Sequence, residues 1–154
     1  MAGVKTNPSY SLPEHMISGV QCQQIKVKKN DDAEISKAVE DGCRVMMQRT
    51  AGSGFPVLLE SYRVSTSTVV AAVQRVVGPA LLYTSRGREK NEATSAEVES
   101  WLKGWKRGEE RRTLVTDVDI SRGWEAPAVM VIGKERTENL VMRTCGFCYL
   151  IKIE

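Results

Sequence analysis

The chain has 154 residues, of which 42% are hydrophobic and 27% charged, and its formal net charge is +3. This length and composition are typical of one soluble globular domain, and no segment approaches the roughly 18 consecutive apolar residues of a membrane-spanning helix. The net charge is too small to indicate a nucleic-acid-binding protein by itself, because such proteins concentrate basic residues on one surface. We expect no membrane partner.

Residues 1–20 contain two prolines, several serines and the only histidine, without clear periodicity. We therefore expect an irregular N-terminal lead-in, followed by one domain over residues 21–154. The patterns predict, in chain order, a strand at 24–28, a helix from a cap at 30–32 through 46, a strand at 56–59, a helix at 65–78, a strand at 80–84, a helix at 93–107, strands at 113–116 and 128–132, a short helix at 138–144 and a strand at 147–153. Strands that alternate with helices predict an α/β domain with a mostly parallel sheet covered on both faces.

Four cysteines, at positions 22, 43, 145 and 148, accompany no export signal. We expect reduced thiols in an intracellular protein of the cytoplasm or nucleus. Cys145 and Cys148 have the C-x-x-C spacing of redox and zinc motifs, but a strand pattern follows them directly and two further zinc ligands are not evident. We therefore expect no metal site and place Cys148 in a core strand, with a redox or zinc site as the weaker alternative.

The residues themselves indicate little self-sufficient catalysis. The glycine-rich run Ala51–Phe55 is not followed by the Lys-Ser/Thr pair of a phosphate-binding loop. A Ser-His-Asp system has only His15 to use, and His15 lies in the lead-in. The groups that stand out are instead basic side chains near the predicted ends of strands.

Three segments carry a more specific signal. Leu59–Ser65, LESYRVS, resembles motif IV of superfamily 1 helicases of the UvrD/Rep type, with Ser61 where that motif usually has Asn. Thr116–Gly133, TDVDISRGWEAPAVMVIG, resembles motif V, in which Lys/Arg-Gly-x-Glu precedes an apolar strand, and also fits the related superfamily 2 motif. Val141–Thr144 resembles motif VI. The three motifs cover about residues 57–153 in family order.

The resemblance implies a fold and a mechanism. The fold would be the C-terminal RecA-like lobe, a three-layer α/β domain that lacks the P-loop lobe. Arg63 and Arg143 would be catalytic arginine fingers, reaching the γ-phosphate of ATP that a P-loop-bearing partner lobe binds together with Mg²⁺. ATP hydrolysis would therefore require that partner lobe.

The resemblance also assigns binding residues to the motif V segment. Glu125 would hold a ribose hydroxyl, Gly123 would permit close backbone approach, and Arg122 would belong to the same nucleotide-binding group. Thr116 would contact nucleic-acid phosphates or couple the two sites. Trp124, which follows Gly123 in the sequence, is the candidate stacking surface for single-stranded nucleic acid. Two other tryptophans, Trp101 and Trp105, are expected in the core because they are spaced i, i+4 on one predicted helix.

Purely structural roles remain open for each of these residues. Arg63 or Arg143 can close a surface salt bridge, Gly123 can serve a turn with positive φ, and Glu125 can pair with Arg122. Two other functions also remain open. One is a degenerate RecA-like interaction or scaffold module of a multidomain intracellular signalling protein, which would bind other signalling proteins. The other is a weak stand-alone nucleotide phosphatase.

Overall fold

The computed structural model describes residues 21–28, 31–60, 65–85, 92–117, 119–121, 124, 128–133 and 146–154, with only the backbone at positions 21 and 22. This part of the chain has six strands and three helices, which alternate as far as the fourth strand. They are β1 (Gln21–Val27), α1 (Asp32–Arg49), β2 (Pro56–Leu59), α2 (Thr66–Val77), β3 (Ala80–Tyr83), α3 (Ser95–Lys106), β4 (Thr113–Asp117), β5 (Ala128–Gly133) and β6 (Phe147–Ile153).

All of the elements predicted within the described residues are confirmed, and several boundaries agree to within one or two positions. The local signals explain the agreement. Ser65 caps α2 by accepting the Thr68 N–H, while Thr94 and Glu97 form a reciprocal capping box at the start of α3. The predicted lead-in at 1–20 and the short helix at 138–144 lie outside the described residues.

The described strands form one sheet in the order β1-β6-β5-β2-β4-β3, and every neighbouring pair is parallel. Parallel strands need crossover connections, so the carboxyl ends of all six strands lie at one edge of the sheet. Helices cover both faces, which gives the three-layer α/β arrangement of a RecA-like fold. None of the three described helices has the length and apolar character required to cross a membrane.

The sheet separates two apolar layers. One face, the α1–α2 face, packs against both of those helices, and the other, the α3 face, packs against the third. Alternate strand residues point to opposite layers: Leu59 and Val115 belong to the α1–α2 face, whereas Leu58 and Leu114 belong to the α3 face. The central strands β5 and β6 are therefore apolar on both sides.

Helix α1 approaches the sheet closely at Gly42. A Cβ atom on this glycine would lie 2.7 Å from Tyr149 Cε1 and 2.8 Å from Met130 Cε, closer than packed carbon atoms approach. The neighbouring Cys43 is fully buried in the same layer. Burial raises the pKa of the Cys43 thiol from 9.0 to about 12, and burial likewise raises the pKa of the Tyr149 hydroxyl from 10.0 to about 12.

We expect the free energy of unfolding to fall as pH rises from the ordinary thiol pKa of 9.0 towards the folded value of about 12. Within that window the unfolded chain releases the Cys43 proton while the folded chain keeps it, so alkaline pH favours unfolding. Urea denaturation over this pH window measures the decline. Cys43→Ala should make the decline shallower, whatever it costs at neutral pH. If the free energy of unfolding fell equally steeply with pH in both proteins, the decline could not be assigned to Cys43.

Candidate functional site

The chain leaves the neighbouring strands β2 and β4 towards opposite faces of the sheet. The chain leaving β2 enters α2 on the α1–α2 face, whereas the chain leaving the adjacent β4 carries Trp124 to the α3 face. In open parallel sheets, ligands bind in the crevice at the carboxyl ends of strands whose connections diverge in this way. We call this region the switch edge and define it by Glu60, Thr84, Ser85, Glu92, Asp117, Asp119 and Ser121.

The predicted site residues belong to segments that connect the strands. Arg63 falls between β2 and α2, the group Arg122, Gly123 and Glu125 falls between β4 and β5, and Arg143 falls between β5 and β6. All five lie outside the described residues, so their roles stay predictions. What the structure describes is the set of strand ends from which these segments begin.

Thr116, predicted to contact nucleic acid, lies in the interior. It is fully buried in β4 on the α3 face, between its register partners Leu58 and Tyr83. Its Oγ1 has no hydrogen-bond partner in the described part of the chain. A buried hydroxyl without a partner has a desolvation cost that an apolar side chain of the same shape would avoid.

Trp124, predicted as a stacking surface, belongs to an aromatic cluster. Its ring centroid lies 6.4 Å from that of Trp101 and 6.3 Å from that of Trp105, and the ring is partly exposed. Trp101 and Trp105 are buried in the core, as predicted, and Trp101 Nε1 donates to the Arg112 carbonyl at 2.8 Å. Trp124 thus rests on α3 with part of its surface accessible to a ligand.

Sequence reasoning matched Asp117 to the superfamily 2 motif but assigned no role to it, although this residue organises the switch edge. Its Oδ2 accepts hydrogen bonds from the Ser85 N–H and the Ser85 hydroxyl, both at 2.7 Å, and its Oδ1 accepts from the Ile120 N–H at 3.0 Å. The bond to Ile120 is the local pattern by which Asp starts a turn. That part was recoverable from the sequence, whereas the bonds to Ser85 require knowledge of the strand order.

A second carboxylate, Glu92, ties down the backbone beside Ser85. Its two oxygens accept from the N–H and the hydroxyl of Thr84, each at 3.0 Å. The third acidic residue of this region is Glu60, whose backbone N–H donates to the Ile132 carbonyl at 2.9 Å. A Cβ atom on Gly133 would lie 2.6 Å from Glu60 Cβ, so the absence of a side chain at Gly133 lets Glu60 lie over β5.

The described ionisable side chains of this region are therefore acidic. Glu60, Glu92 and Asp117 are half-buried, and Asp119 is exposed. No cluster of three or more His, Cys, Asp or Glu side chains suited to a metal ion occurs in the part of the chain that the structure describes. Cys148 is fully buried in β6, which confirms the prediction of a core strand residue, while Cys145 lies outside the described residues.

We expect Thr116→Val to leave the free energy of unfolding unchanged or to raise it by up to about 1 kcal/mol, because valine has the same shape without the unpartnered hydroxyl. Urea denaturation measures this change. A loss of stability of more than about 1 kcal/mol would indicate that the hydroxyl has a partner in the folded protein. Thr113, the other buried threonine of β4 with an unpartnered Oγ1 among the described residues, provides the matched control as Thr113→Val.

Two comparisons with known proteins identify no family for the chain. No protein-family model matches the chain, and no curated protein matches it. The resemblance to superfamily 1 helicases therefore rests on the three motif segments and stays a prediction.

Proposed function

We propose that the chain is the second RecA-like lobe of a helicase-like NTPase and acts on ATP held by a P-loop-bearing partner lobe. The observation that carries the proposal is that the chain leaves β2 and β4 towards opposite faces of the sheet. Two adjacent strands, β2 and β4, end at the same edge with diverging connections. These are the strands that precede Arg63 and the group around Arg122 in the sequence.

The chemistry proposed for this edge is electrostatic. A guanidinium group is planar and permanently charged, and it can donate two parallel hydrogen bonds to phosphate oxygens. Placed against the γ-phosphate on a partner lobe, it stabilises the charge that develops during phosphoryl transfer, an effect worth about 10³–10⁵ in rate for arginine fingers. No nucleophile or metal ligand from this chain is needed for that contribution.

Chain connectivity supports Arg63 more strongly than Arg143. Arg63 follows Leu59, the last residue of β2 at the switch edge, by four positions. Arg143 precedes Phe147 by four positions, and Phe147 begins β6 at the opposite edge of the sheet. Four residues span at most about 14 Å, roughly the length of a four-residue strand, so Arg143 has less reach towards the switch edge.

We expect the chain to raise ATP hydrolysis by a P-loop lobe taken from a superfamily 1 helicase that lacks its own second lobe. Arg63→Ala should reduce that stimulated rate by about a hundredfold or more, since a finger supplies charge only in the transition state. Phosphate release in the mixture measures the rate. Arg111→Ala is the matched control, because Arg111 is exposed beside the start of β4 at the other edge. Equal rates with and without Arg63 would contradict the finger.

The carboxylates of the switch edge favour a second candidate, the interaction or scaffold module. Like charges repel by about 1 kcal/mol per pair at 4 Å even in water, and by more near a protein surface. The carboxylates of this edge therefore oppose the approach of a polyphosphate. A protein partner with basic side chains would find the same surface attractive.

Titration with a fluorescent single-stranded oligonucleotide at low salt separates the two functions. A motor lobe should bind the oligonucleotide. The logarithm of its binding constant should fall linearly with the logarithm of the salt concentration, with a slope of about −0.7 for each phosphate contacted. Asp119→Asn should strengthen that binding by removing a repulsive charge. Failure to bind at low salt would favour the interaction module.

A further inference from the structure

The segment after β4 is attached to the rest of the protein at its beginning. We call Asp119–Ser121 together with Trp124 the β4 turn. Asp117 accepts the Ile120 N–H with one oxygen, and its carbonyl accepts the Ser121 N–H at 3.2 Å. The other oxygen of the same carboxylate accepts both donors of Ser85, at the end of β3. One side chain therefore joins the turn to a strand end 32 positions away in the sequence.

The β4 turn is attached a second time at Trp124. The backbone N–H of Trp124 donates to the Ser121 carbonyl at 2.9 Å, and the Trp124 ring packs against Trp101 and Trp105 of α3. The two attachments differ in kind, because the first is a charged hydrogen-bond group and the second is an apolar contact. They also reach different elements, β3 and α3.

We propose that Asp117 is a positioning residue of the switch edge, which holds the β4 turn against Ser85 so that Trp124 is seated on α3 before any ligand binds. A preformed surface binds more tightly than one that must be ordered on binding. The identity of the ligand, a nucleoside triphosphate on a partner lobe, rests on the proposed function. The claim that Asp117 controls the position of Trp124 does not rest on the proposed function.

The chemistry requires a carboxylate at this position. Ionised Asp is an acceptor on both oxygens and can receive all three donors of Ser85 and Ile120. Asn has the same shape but only one acceptor oxygen, so its amide nitrogen would face either the Ser85 N–H or the Ile120 N–H. Asp117→Asn therefore breaks one side of the link without creating a cavity. Ser85→Ala is milder, since it removes the hydroxyl and keeps the N–H.

The test uses the protein labelled with 5-fluorotryptophan, with the Trp124 resonance assigned from Trp124→Phe. Fluorine NMR in H₂O and D₂O reports how exposed each indole is. Asp117→Asn should increase the exposure of Trp124 more than that of Trp101 or Trp105, and Ser85→Ala should produce a smaller change of the same kind. Glu92→Gln is the matched control, because Glu92 accepts hydrogen bonds from the N–H and the hydroxyl of the adjacent Thr84.

Two outcomes would overturn the positioning role. One is an unchanged Trp124 resonance in both Asp117→Asn and Ser85→Ala. The other is an equal change in Glu92→Gln, which would indicate general loosening of the edge. Ser85→Ala keeps the question decidable if Asp117→Asn does not fold.

The functional consequence is measured in the mixture with the P-loop lobe and Mg·ATP. Asp117→Asn should raise KM for ATP by about tenfold, the size expected when one hydrogen bond to a charged group is lost. An unchanged KM alongside an exposed Trp124 would overturn the claim that the seated turn favours binding. If the wild-type chain gives no stimulation at all, the proposed function fails, while the fluorine measurement still decides the role of Asp117.

Discussion

Parallel pairing of the strands is the constraint on which the rest of this structure depends. A parallel strand cannot return by a tight hairpin, so each connection must cross a face of the sheet before the next strand begins. All carboxyl ends consequently meet at one edge, and the segments with distinctive residues leave from that edge. The chain leaves β2 and β4 towards opposite faces of the sheet. The switch edge is thus a product of the connectivity of β2 and β4, whose register pairs include Leu59 with Asp117.

Burial on both faces explains why so much of this fold can be predicted from the sequence. Every residue of β5 is buried, and β6 is buried at all positions except Lys152, so β5 is an uninterrupted apolar run and β6 is a run interrupted only by Lys152. Helix ends are equally predictable, since Ser65 and the Thr94–Glu97 pair cap helices through hydrogen bonds between residues only three positions apart. Signals of this kind need no knowledge of the tertiary structure.

The candidate site was less predictable because its contacts span long stretches of sequence. Asp117 meets Ser85 across 32 positions, and Glu60 lies over Gly133 across 73, and neither pairing follows from periodicity. Both depend on which strands are neighbours, a choice made by packing of the whole sheet. The motif resemblance instead directed attention to Arg63, Arg122 and Arg143, which precede or follow strands without being part of them.

Two carboxylates of the switch edge lie against hydrogen-bond donors, and this affects how strongly the edge would repel a phosphate. Asp117 and Glu92 each receive hydrogen bonds from backbone and hydroxyl donors, which place partial positive charge directly against their oxygens. That positive charge reduces the repulsion that these two carboxylates would exert on a polyphosphate. Arg63 follows β2, and the segment after Ser85 has three basic residues and one glutamate at positions 86–90. Basic residues thus follow in the sequence the strands whose ends carry the carboxylates. On the proposed function these residues would supply the positive charge that phosphate recognition requires.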